Sequence, residues 1–240
     1  MNDSIEANPA RYARRAGWLY LFIIVAALFA ELFVRGRLIE FGDAAATAHN
    51  ILVHETLYRF GFVAGVAVVL CNLPFGLIVY RLLAPVDRDR AALMALFFFF
   101  AIAIEAINLM HHFAPLLLLE DRSYLGVFAP AQLQALAYVS FRYFATGYNL
   151  SLAFFGCYCL LAGNLIFRSS FLPRVVGLLI TIAGLCYLIN SSANFIAPKL
   201  AAHLPYLLAP CLFAETSLCL WLIVYGVDER KWDAMVDRSA

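Results

Sequence analysis

The stretch AALMALFFFFAIAIEAINLMHHFAPLLLL, residues 91–119, decides the fold. At a rise of about 1.5 Å per residue it is long enough to cross about 30 Å of hydrocarbon. Its polar side chains are few: Glu105, Asn108, His111 and His112. From Ala91 to Ala106 it shows none of the in-and-out alternation of a barrel strand, so a transmembrane barrel is excluded. The stretch reads as a membrane-spanning helix.

Working outward, comparable apolar runs lie at 17–34, 57–83, 143–167, 173–196 and 205–227. The whole chain of 240 residues is 64% hydrophobic and 14% charged, with a mean hydropathy of +0.83. A soluble domain carries about 25% charged residues, and one core cannot absorb such an apolar excess. The fold class is therefore all-α: a polytopic membrane protein with six transmembrane helices and short interfacial helices on its outer side. One integral membrane domain covers 1–240. The lipid bilayer is its first partner. A net charge of +1 excludes a nucleic-acid binder that works by clustered basic charge. The six cysteines fall in apolar stretches without a C-x-x-C pair and read as small core residues.

Basic residues set the orientation. Of the 17 Lys and Arg, eleven fall in the N-terminus, the 81–90 loop, the 168–174 loop and the C-terminal tail. The other six are Arg35, Arg37, Arg59, Arg122, Arg142 and Lys199. The positive-inside rule then puts both termini in the cytoplasm. The apolar run after Arg14-Arg15 exceeds a signal-peptide core of about 7–15 residues, so it reads as a retained first span. Trp18, Tyr20, Trp221 and Tyr225 read as anchors at the cytoplasmic interface.

The outer connections are long. Asp43 before Ala44-Ala45-Ala46 reads as the N-cap of a helix leading toward the second span. Pro130-Ala131-Gln132 reads as the start of a separate short interfacial helix. Gly61 and Gly65 form a small-xxx-small pair that predicts a close helix contact.

Ionisable groups inside a membrane cost about 2.5–3.5 kcal/mol each on insertion scales and so mark candidate sites. By depth along the spans, Glu105 and Glu215 fall near mid-membrane. Glu31, Arg59, Asn108, His111, His112, Asn190 and Asn194 fall in the outer half, which predicts a polar cavity opening outward. Glu105, Asn108 and His112 share one face at i, i+3, i+7. Glu105, His111 and His112 are the candidate ligands for a divalent metal, set against a plain role as polar glue between helices. No H-E-x-x-H spacing supports the metal. Glu31 and Arg59 are expected to form an ion pair, with anion binding by Arg59 as the alternative. Pro210 is expected to loosen the sixth span beside Glu215, leaving a protonatable carboxyl whose structural partner would be Tyr187 or Asn190.

Several segments together resemble a known family: Ala16-Gly17-Trp18-Leu19-Tyr20 leading to Glu31, and Gly42-Asp43-Ala44 with Thr47, Asn50 and Arg59. Tyr148 to Gly156, Phe171-Leu172-Pro173-Arg174, Ala183-Gly184-Leu185 with Tyr187, and Glu215 with Leu220-Trp221-Leu222 extend the match over nearly the whole chain. The sequence is similar to bacterial six-helix membrane proteins catalogued as a domain of unknown function, family 4386. The resemblance implies the six-helix fold and a bacterial inner-membrane location, and no reaction.

The residues favour binding or transport of a small polar or amphiphilic solute, with Glu105 and Glu215 as proton or cation sites. One alternative is a membrane-embedded enzyme acting on a lipid or isoprenoid, with His112, Glu105 and His54 or His203 as metal ligands or acid–base groups. The other is a non-catalytic sensor or scaffold.

Overall fold

The computed structural model describes residue 5 and residues 8–120, 123–201 and 206–239, and within them the chain is helical with no strand. The main elements are α1 (Pro9–Leu28), α2 (Ala44–Val53), α3 (Glu55–Leu83), α4 (Arg88–Leu119), α5 (Pro130–Arg168), α6 (Arg174–Ile196), α7 (Ala209–Val224) and α8 (Glu229–Ser239). α1 continues through a π-helical stretch, Phe29–Arg35, and the turn Gly36–Leu38. Among the described residues five helices are long and apolar enough to cross a membrane, and α7 with α8 makes a sixth if that pair, bent by 101°, counts as one. The chain is a multi-pass membrane protein.

Three expectations change. Pro130 does not open a separate interfacial helix: nothing between Gln134 and Tyr143 breaks the chain, so α5 runs unbroken for 39 residues, about 58 Å. Pro210 does not loosen a span, because it sits at the first turn of α7, where a missing N–H costs nothing. Tyr20 is not an interfacial anchor: it is buried, with its ring 4.6 Å from that of Phe75. Trp18 and Tyr225 are exposed. The Asp43 cap is present, its carboxylate accepting from Ala46 N at 2.9 Å, and His54 separates α2 from α3.

Two compact units are present. Unit 1 comprises Met1–Phe22, Cys71–Ile102 and Asn149–Ala240, and unit 2 comprises Ile23–Leu70 and Ala103–Tyr148.

In unit 1, glycines bring α5 and α6 together. A Cβ on Gly156 would meet Gly184 O at 3.0 Å, and one on Gly163 would meet Gly177 O at 2.6 Å. The pairs are antiparallel with one register, so the two backbones approach at both. In lipid, where burying leucine gains nothing, such close approach is what drives helix association. α7 packs on α6, and Cys211 Sγ donates to Ala183 O at 3.5 Å. After α7, Gly226 takes a positive φ of 67°, a conformation that favours glycine, and its N–H returns to Trp221 O. Asp228 then caps α8, accepting from Lys231 N at 3.3 Å. α8 (ERKWDAMVDRS) is too charged for hydrocarbon and has the composition of an interfacial helix. Trp232 fastens it, donating from Nε1 to Leu82 O at 3.0 Å.

In unit 2 the core is Val34, Leu38, Ile51, Tyr58, Leu116 and Phe141. Gly61 lies against Val34 and Gly65 against Leu109, so both members of the small-xxx-small pair make close helix contacts. The loop before α2 is pinned by Thr47, whose hydroxyl accepts from Glu40 N at 3.0 Å and donates to Glu40 O at 3.1 Å. Gly42 N donates to the Tyr138 hydroxyl at 2.7 Å, tying the same loop to α5.

Candidate functional site

Each unit holds a cluster of buried and half-buried polar side chains. In unit 1 it centres on Glu215, in the second turn of α7. The Tyr187 hydroxyl of α6 donates to Glu215 Oε1. The Tyr20 hydroxyl reaches the same carboxylate from α1. Tyr158 and Cys159 of α5, both buried, lie beside it. Among the described residues no Lys, Arg or His pairs with Glu215. The carboxyl is thus held by neutral hydroxyl donors alone, an arrangement that serves a group carrying its own proton or meeting a cation from outside.

The asparagines form a second layer of unit 1. Asn190 Nδ2 donates to Asn149 Oδ1 at 3.0 Å, Ser191 Oγ donates to Asn149 O at 2.7 Å, and Asn194 Nδ2 donates to Asn190 O at 2.9 Å. Of the two structural partners expected for Glu215, Tyr187 is the one found. Asn190 instead ties α6 to α5.

In unit 2 the cluster lies along α4. Asn108 is buried, and its Nδ2 donates to Phe144 O of α5 at 2.9 Å. The crossing is close, because a Cβ on Gly147 would lie 2.2 Å from Asn108 Oδ1. One turn on, His112 is 0% exposed, and neither ring nitrogen has a hydrogen-bond partner. Its ring stacks on Tyr58 at 4.5 Å and 9°, with Phe62, Phe141 and Phe144 around it. The Tyr58 hydroxyl donates to the His112 carbonyl, next to the His111 carbonyl that Pro115, having no N–H, leaves without its helical partner. Three-residue sequence spacing places Asn108 on this face. The aromatic box comes from two other helices, α3 and α5, and leaves no signal in α4.

His111 is half-buried beside Tyr143, with ring centroids 5.4 Å apart. Glu105 is half-buried in unit 2, while Glu215 belongs to unit 1. Among the described residues no three His, Cys, Asp or Glu side chains come together as a metal-binding set. His54 is exposed at the end of α2, and His203 and Arg122 lie outside the described residues.

The expected Glu31–Arg59 pair does not form. Glu31 bonds Arg35, whose guanidinium also lies 4.6 Å over the Phe144 ring. Arg59 bonds Glu55 at 2.7 Å and Glu120 at 3.3 Å. The physical reason is local: both carboxylates stand four residues before an arginine on the same helical stretch, the spacing that brings side chains together. Near Glu120 a cavity of about 340 Å³ is lined mainly by Leu52, Leu118, Leu119, Leu125, Phe128 and Leu133. It is more apolar than the outward cavity the sequence suggests, with Glu120 and Gln134 as its polar side chains.

No curated protein and no solved structure is matched by the chain. Residues 15–226, which include both polar clusters, match the family described as a domain of unknown function (DUF4386), and the chain belongs to that family.

Proposed function

We propose that the protein binds or transports a small polar or amphiphilic solute, with Glu215 as the carboxyl that exchanges a proton or receives a cation. The observation that carries this reading is the pairing of Glu215 with Tyr187 and Tyr20 and with no cation among the described residues. A helix held only for stability does not need an ionisable group there, since an amide would keep the same hydroxyl contact without the insertion cost. Glu105 and Asn108 of unit 2 form the second candidate group, with the aromatic packing of His112 one turn on. In this reading the protein lies in a bacterial inner membrane with both termini in the cytoplasm, supported by the excess of basic residues in the loops on that side.

The test uses detergent-purified protein in weak buffer with a pH indicator. A zwitterionic amino acid, a neutral sugar and choline are added in turn. Proton uptake or release stoichiometric with the protein for one of these, lost in Glu215→Gln, is the expected result. The same pH trace from wild type and Glu215→Gln for all three contradicts the reading.

A further inference from the structure

A cleft of about 730 Å³ in unit 1 lies where the end of α3, the turn into α4 and helix α8 meet. Tyr80, Pro85, Trp232 and Val236 form much of its lining, and Arg81 and Arg88 stand at its edge. Among the described residues its one carboxylate is already satisfied: Asp87 accepts from Arg90 N at 3.1 Å and pairs with the side chains of Arg90 at 3.2 Å and Arg168 at 3.4 Å. Arg81 and Arg88 are exposed, and neither forms an ion pair among the described residues. Two guanidinium groups beside a cleft, neither taken up by an ion pair among the described residues, suit a phosphate, which accepts paired N–H bonds.

The surroundings choose between a free phosphate and a lipid. Leu73 and Leu77 precede Arg81 at four-residue intervals on α3, so the three share one face. Both leucines are exposed, at 46% and 44%. An apolar stripe running up to an unpaired arginine is the arrangement of an acyl chain below its headgroup. Helix α8, fixed by Trp232, forms the other side of the cleft, and its charged composition suits a bilayer surface. We propose that this cleft binds an anionic phospholipid, with Arg81 and Arg88 on its phosphate and Leu73 and Leu77 along its chain. The site is independent of Glu215.

The test places the full chain in nanodiscs of equal phosphatidylglycerol and phosphatidylcholine and counts the lipids retained on release into a native mass spectrometer. Wild type is expected to keep phosphatidylglycerol preferentially. Each of Arg81→Gln and Arg88→Gln is expected to lower that preference about fivefold, the worth of one basic residue at an anionic surface. Arg37→Ala with Arg142→Ala, which removes two exposed charges from unit 2, is expected to leave it unchanged. Reading the two single variants separately keeps the test open if a double variant fails to fold. No preference in wild type, a preference kept by both Gln variants, or an equal loss in the control pair overturns the proposal. Displacement of the lipid by inorganic phosphate also overturns it, assigning the cleft to a free anion.

Discussion

The Tyr187 hydroxyl donates to Glu215 Oε1, joining α6 to α7 through the carboxyl at the centre of the unit 1 cluster. Removing this donor leaves the half-buried carboxylate with the Tyr20 hydroxyl alone, and losing one such hydrogen bond costs about 0.5–1.5 kcal/mol. Tyr187→Phe is therefore expected to lower the melting temperature in detergent, and Glu215→Gln, whose amide oxygen still accepts, to lower it less. A Tyr187→Phe protein as stable as wild type contradicts this pairing.

Asn108 and Gly147 occupy the same crossing of α4 and α5. Gly147→Ala would push a methyl into Asn108 Oδ1, and overpacking of this kind costs about 1–3 kcal/mol. Truncating the neighbour makes room, so Gly147→Ala is expected to be less damaging in an Asn108→Ala background than alone. Additive losses of stability in the double-mutant cycle would show that the two do not meet.

At Gly177 a Cβ would meet only backbone, of Phe167 and Gly163, and at Gly163 it would meet the Thr181 hydroxyl at 2.3 Å and Gly177 O at 2.6 Å. Gly163→Ala and Gly177→Ala are each expected to weaken the unit by about 1–3 kcal/mol, read from thermal unfolding. At Gly42 a Cβ would meet nothing within 4 Å, but φ is +87°. Gly42→Ala is accordingly expected to cost about 1–2 kcal/mol through backbone conformation alone.

His112 is boxed by four aromatic rings with both nitrogens unpartnered. If it serves packing, His112→Leu, of similar volume, stays within about 1.5 kcal/mol of wild type and leaves the metal content of the purified protein unchanged. A large fall in stability together with loss of a stoichiometric metal would make His112 a ligand instead.

Asp228, outside the spans, gives a pH prediction. The Lys231 backbone N–H, then its ammonium, hold the Asp228 carboxyl below its ordinary range. A carboxyl so depressed adds stability above its unfolded pKa and loses it as pH falls through the folded value. The start of α8 is expected to loosen on strong acidification, followed by hydrogen exchange at Lys231 and Trp232. Asp228→Ala should show the same loosening at neutral pH.

The sequence reads some of this plainly and some not at all. The spans are legible because each is a local run of apolar residues, and the Asp43 cap because capping depends on a few neighbours. Tyr20 is misread as an anchor, since its burial depends on which face of α1 meets Phe75. Glu31 and Arg59 are misassigned because a partner four residues away wins over one on another helix. The box around His112 includes Tyr58, 54 positions away in the chain, and no window along the sequence reveals it. Glu215 is the opposite case: an isolated carboxylate in an apolar helix, visible without any structure.

The measurement that tests the central claim most directly is proton movement in liposomes carrying wild type, Glu215→Gln or Glu105→Gln, with a trapped pH indicator and an imposed pH gradient. The amino acid, sugar or choline that shifted the pH in detergent is supplied as solute. The account predicts solute-dependent collapse of the gradient by wild type and none by Glu215→Gln. Equal collapse by wild type and Glu215→Gln, or no solute dependence in either, would contradict the assignment of Glu215 as the exchanging carboxyl.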